Sequence, residues 1–233
     1  MYDSFYGFLH AAQLANTVTG FATCLAGIVP MIYCLIIHPQ PPRWFFVYFC
    51  IFLTGLPTVW LHSDEANRFA AAADVGSNVF LTWSILMAVS GDFLRQPTRN
   101  RFRAVVCTLD FAAIAWIFYE VTLPEKMKAL DFGSFGFFHV GEVILILNAW
   151  LCAGMFFGFW KRIPKPARPA IVMTFAMFFI GMLLATASNN QIWYRIFAWH
   201  ATWHIVGGFA LVTLWLFNHI RFTQEDPGTV AAQ

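Results

Sequence analysis

The chain is expected to be an all-α membrane protein, a bundle of seven transmembrane helices with the N-terminus outside and the C-terminus in the cytoplasm. Three observations predict it. The 233 residues are 59% hydrophobic and only 11% charged, outside the range of an ordinary soluble domain. Seven apolar stretches, each near the ~20 residues that cross a bilayer as helix, run over about 13–37, 43–62, 69–91, 103–123, 137–160, 169–187 and 196–220. Barrel-type alternation is absent, and a closed barrel would not need long continuous apolar runs.

The first stretch has no basic leader and no small-residue cleavage site behind it, so a retained helix is expected and not a signal peptide. Ahead of it, Met1 to Ala12 carries Tyr2, Phe5, Tyr6 and Phe8, rings that sit at headgroup level, with His10 near the end. A short interfacial segment follows from that. Helix 1 opens on Gln13-Leu-Ala-Asn-Thr-Val-Thr19 and contains Pro30, which a membrane helix accommodates when neighbours satisfy the freed carbonyl. His38 and Pro39 to Pro42 make the first turn. Helix 2 ends in Gly55-Leu-Pro-Thr-Val-Trp-Leu-His62, and Ser63 to Arg68 is a tight polar turn. Helix 3 returns through four alanines to Asp74. The turn Lys161-Arg-Ile-Pro-Lys-Pro-Ala-Arg-Pro169 is stiffened by proline, and Gly207 and Gly208 are read as permitting close helix approach. One transmembrane domain over 1–222 with a polar tail at 223–233 accounts for the chain.

All five cysteines (Cys24, Cys34, Cys50, Cys107, Cys152) fall inside spans, which argues against a loop disulfide framework and a Cys-rich zinc site. They read as small packing residues.

Charge distribution sets the orientation. Arg43, Arg95, Arg99, Arg101, Arg103, Lys161, Arg162, Lys165, Arg168 and Arg221 share one side; Arg68, Lys126, Lys128 and Arg195 share the other. Ten against four puts the C-terminus in the cytoplasm. The basic runs 95–103 and 161–168 hold a single aromatic between them, Phe102, short of the interleaving that base stacking needs, so they read as anchors on anionic headgroups and not as nucleic-acid sites. A bacterial inner membrane with the site toward the periplasm is expected, otherwise an ER or Golgi membrane with the site toward the lumen.

On a helix, His200 and His204 in Phe197-Ala-Trp-His-Ala-Thr-Trp-His-Ile-Val-Gly-Gly208 share one face, one turn apart. Taken alone the pair is either half of a metal site or two hydrogen-bonded histidines. The topology adds the rest. Helix 2 ends, and helices 3 and 7 begin, at the outer face, so His62, Asp74, His200 and His204 are expected to converge there. Three imidazoles plus a water make the usual open catalytic zinc site. Zinc lowers the pKa of that water to about 7. Asp74 is then the general base or the orienter of the water, and Thr58, i−4 from His62, donates to the oxyanion of a tetrahedral intermediate.

Among the remaining polar residues, Asp110 is read as a structural intramembrane acid. His139 and Glu142, at i, i+3, and Asn78, one turn beyond Asp74, are candidates to line the same cavity, with structural hydrogen bonding the competing reading for the first pair.

The set Thr58-x-x-x-His62, Asp74 and His200-Ala-Thr-Trp-His204 resembles the alkaline ceramidase family, seven-helix members of a membrane hydrolase superfamily that also includes the adiponectin and progestin receptors and the hemolysin III-like proteins. The family pattern is Ser-x-x-x-His, an Asp in helix 3 and His-x-x-x-His in helix 7; Asn16-Thr-Val-Thr19 is similar to its Asn-Thr-Val-Ser in helix 1. The resemblance implies zinc on His62, His200 and His204, Asp74 acting on the metal-bound water, and hydrolysis of the amide of ceramide, or a related N-acyl lipid of the bilayer, to a sphingoid base and a fatty acid. Thr58 replaces the family's serine. The acidic calcium-binding N-terminus of the eukaryotic members has only Asp3 here, with Gln13 at the later glutamate's place, so the resemblance does not carry calcium onto this chain.

Two alternatives come from other classes: a receptor-like or hemolysin III-like protein with a structural zinc, and ion conduction along Asp74, Glu142 and Asp110.

Overall fold

The structure is a computed structural model that describes residues 2–64, 66–123, 130–131, 137–188 and 198–224, with side chains described over 12–64, 66–123, 130, 139–185 and 198–223. Lys126, Lys128, Arg195, Phe197, the polar tail beyond residue 224 and the side chains of the aromatic N-terminal segment, His10 included, lie outside the described residues.

Seven helices among the described residues are long and apolar enough to cross a membrane. They are α1 (Tyr2–Ile36), α2 (Pro42–Ser63), α3 (Arg68–Phe93), α4 (Thr98–Thr122), α5 (Val140–Gly158), α6 (Arg168–Ser188) and α7 (Trp199–Gln224). In hydrocarbon every backbone N–H and C=O must be satisfied within the segment, and a helix does that for a continuous apolar run. The chain is a multi-pass, all-α membrane protein.

Most boundaries fall within a few residues of those read from hydropathy; α1 departs furthest, its helix running back to Tyr2 through the aromatic segment ahead of residue 13, and two smaller differences have physical causes. Helix α4 begins at Thr98, ahead of the apolar run, because Arg99, Arg101 and Arg103 continue the helix while lowering its hydropathy. Arg103 donates to the Met87 carbonyl at 2.7 Å and to Ser90 Oγ at 2.9 Å. Helix α5 begins at Val140 and not at 137, because Phe137–Phe138 (β2) pairs antiparallel with Leu130–Asp131 (β1), Leu130 opposite Phe138.

The chain divides into two compact units, residues 1–64 with 163–233, and residues 65–162. In the first, α1 packs on α2 and α7, and α7 on α6. Along α1, the large residues Leu14, Val18, Phe21, Leu25, Val29 and Ile32 are exposed, while Ala12, Asn16, Gly20, Cys24 and Gly27 are buried. Small residues face protein and bulky ones face outward because lipid chains offer no drive to bury a leucine, whereas close backbone approach gains dispersion contacts. The contacts are tight. A Cβ on Gly55 of α2 would stand 2.6 Å from the Cys24 nitrogen, and one on Gly27 would stand 2.7 Å from the Tyr48 carbonyl oxygen. On α7, a Cβ on Gly208 would lie 3.2 Å from Ala22 Cβ, as its sequence reading implied.

The second unit packs α3 against α4 and α5 around Ala72, Val79, Ile117 and Val121. Asn67 caps α3, its side chain accepting from the Phe69 and Ala70 N–H groups at 3.1 Å each. Arg68 donates to the Leu123 carbonyl at 2.9 Å and so ties the start of α3 to the end of α4. All five cysteines are free, and four of them are buried.

Candidate metal centre

Helix α2 ends one residue after His62, and α7 begins one residue before His200. The α1–α2 and α1–α7 contacts bring these two ends together within the first unit. His62, His200 and His204 each offer one nitrogen, and the three nitrogens lie within 4.8 Å of one another. The Nε2 atoms of His62 and His200 are 3.1 Å apart. Ring centroids are separated by 4.7 to 4.9 Å with planes inclined at 51° to 79°, so the rings converge by their edges and do not stack. His62 and His204 are buried and His200 is half-buried.

The geometry suits a metal. In a tetrahedral site with metal–nitrogen bonds of about 2.0–2.1 Å, two ligand nitrogens stand roughly 3.3 Å apart. The His62–His200 separation is close to that value. Three imidazoles form an uncharged donor set with borderline softness, which zinc accepts and which magnesium and calcium do not favour.

Helix α1 completes the surroundings. His204 Nδ1 is 3.1 Å from the Asn16 carbonyl oxygen and 3.1 Å from Thr19 Oγ1, and Thr19 donates its hydroxyl proton to the Ala15 carbonyl at 2.7 Å. The sequence alone assigns the Asn16-Thr-Val-Thr19 run no role. The available signal was a polar run inside an apolar helix at the depth of the histidines.

Trp203 sits between the two histidines in sequence and points elsewhere. Its indole occupies the space that a Cβ on Gly181 of α6 would need. This contact fixes the rotation of α7 about its own axis and leaves His200 and His204 facing α1 and α2.

Thr58, one turn before His62, is buried, and its hydroxyl donates to the Thr54 carbonyl at 3.1 Å. Its methyl is directed at Gly20, where a Cβ would stand 3.4 Å away.

The other residues singled out from sequence belong to the second unit. Asp74 and Asn78 share a face of α3, where the Asn78 amide donates to the Asp74 carbonyl at 3.0 Å and Ser77 Oγ donates to the same carbonyl at 2.9 Å. Glu142 accepts from the His139 N–H at 2.7 Å and caps α5, the structural role weighed for this pair. Asp110 and Asn148 are each 1% exposed; the Asn148 amide donates to Asp110 at 3.0 Å and to Thr82 Oγ1 at 3.1 Å. The structure thus brings His62, His200, His204 and Thr58 together in one unit; Asp74 is not in that unit. No family model, curated protein or solved structure matches the chain.

Proposed function

We propose that the chain is a zinc-dependent hydrolase of a membrane-lipid amide, similar in chemistry to the alkaline ceramidases. The observation that carries this reading is the buried trio of imidazoles from α2 and α7, with nitrogens within 4.8 Å of one another. His62, His200 and His204 would hold the ion. Zinc, when bound by three neutral imidazoles, supplies a Lewis acid that polarises a carbonyl and acidifies water at a fourth position.

The chain's own residues do the rest. Thr58 directs its proton to the Thr54 carbonyl in the free protein. Rotation about its Cβ–Oγ bond re-aims that proton at an oxyanion developing on the substrate carbonyl. The methyl that threonine adds over the family's serine meets a glycine, Gly20, which supports threonine as a substitute. Asp74 is assigned as the proton acceptor on the strength of the resemblance. The N-terminus lies on the non-cytoplasmic side by the ten-to-four charge count, and ceramide or a related N-acyl lipid enters sideways from the outer leaflet.

A second reading keeps the metal and removes the chemistry. All three ligands stand in one unit and join α2 to α7, which is what a structural brace would do.

Incubating the purified protein with ceramide in detergent and measuring released fatty acid by mass spectrometry separates the two. The hydrolase reading expects release that is lost in His200→Ala and in Thr58→Val and retained in Thr58→Ser. Metal-dependent thermal stability with no release from any N-acyl lipid would leave the brace.

A further inference from the structure

We infer that Thr19, with the main-chain carbonyl of Asn16, is a positioning residue that fixes which nitrogen of His204 faces a metal. The inference rests on the metal-site reading above and extends it to α1, a helix that contributes no ligand.

The protons available around His204 Nδ1 decide its tautomer. A carbonyl oxygen only accepts hydrogen bonds, so the 3.1 Å contact between Asn16 O and His204 Nδ1 requires the proton on Nδ1. Thr19 has one hydroxyl proton. It is directed at the Ala15 carbonyl at 2.7 Å, so Thr19 Oγ1 turns a lone pair toward the same Nδ1 at 3.1 Å. Both oxygens beside Nδ1 are therefore acceptors, and the opposite tautomer would set a nitrogen lone pair against the Asn16 carbonyl and require Thr19 to give up its bond to Ala15. A neutral imidazole carries one ring proton. With that proton held on Nδ1, Nε2 bears the lone pair that coordinates a metal.

Histidine ligands generally donate their remote N–H to a carbonyl or carboxylate that sets ring orientation and basicity, and loss of such a partner typically costs about 10–100-fold in metal affinity. Here the partner comes from a residue with an i−4 hydrogen bond of its own, so α1 can set the hydroxyl's direction before any metal arrives. The requirement is for a hydroxyl at position 19; its methyl is incidental.

Two measurements test this. In metal-free protein carrying ¹⁵N-labelled histidine, long-range proton–nitrogen spectra report the tautomer of each ring, with the His204 signals assigned by their absence from His204→Gln. The expected result is a protonated Nδ1 and an unprotonated Nε2; a protonated Nε2 overturns the inference. Zinc titration of Thr19→Val against Thr19→Ser is the second measurement. Affinity should fall about tenfold in Thr19→Val and stay within about twofold of native in Thr19→Ser, with equal thermal stability of the metal-free forms. Unchanged affinity in Thr19→Val overturns it. A protonated Nδ1 in a native protein that binds no metal upholds the hydrogen-bond assignment and removes the metal reading instead.

Discussion

The indole of Trp203 lies over Gly181, in the space any larger residue at 181 would claim. The neighbouring atoms belong to a rigid ring, so a Cβ at this position forces α6 and α7 apart or turns Trp203 out of its seat. Because Trp203 immediately precedes His204, turning it rotates the ligand face of α7. Gly181→Val is expected to reduce zinc affinity at least about tenfold while removing none of the ligands, as ligand misplacement does in metal sites. Zinc titration checks this, and Gly181→Val binding zinc as the native chain does would refute the role given to the contact.

Glycines that close α1 onto α2 should behave unlike those that face open space. At Gly55 a Cβ meets the backbone of Cys24, which cannot move without shifting the helix that carries Thr19. Overpacking of this kind costs about 1–3 kcal/mol. Nothing lies within 4 Å of a Cβ at Gly154 on α5. Gly55→Ala should therefore lower the unfolding midpoint in detergent, while Gly154→Ala leaves it unchanged or slightly higher, since alanine favours helix by roughly 1 kcal/mol over glycine.

Much of this arrangement was legible in the chain and some of it could not be. Helix positions follow from runs of apolar residues, and the spacing His200–His204 together with alternate crossing predicts that His62 meets them, as it does. The close approach at Gly208 was legible for the same reason, since glycine in a membrane helix has few other uses. The Asn16 carbonyl on His204 was not, because every residue has a carbonyl and sequence does not say which one a ring from a distant helix will reach. The pairing of Trp203 with Gly181 joins residues on different helices, and no spacing rule links them. The late start of α5 depends on a two-residue strand pairing too short to leave a periodic signal.

Glu142 offers a check on whether an intramembrane acid here is structural. Its carboxylate takes the His139 N–H at the start of α5, which otherwise has no partner within the helix. Removing such a cap costs about 0.5–2 kcal/mol. Glu142→Ala should speed hydrogen exchange over the first turn of α5 and lower stability by that amount, and Glu142→Gln, which keeps an acceptor, should recover most of it. Zinc content should be the same in all three. An equal loss of zinc in Glu142→Ala and Glu142→Gln would place this residue in the metal chemistry instead of the cap.

The central claim is that His62, His200 and His204 form one metal site, and elemental analysis of protein purified without added metal tests it most directly. The account predicts about one zinc per chain in the native protein and close to none in His200→Ala or His62→Ala, because two imidazoles leave a tetrahedral ion without its third protein ligand. A native protein that carries no metal and takes up none from micromolar zinc, or a His200→Ala variant that keeps its full complement, would contradict it.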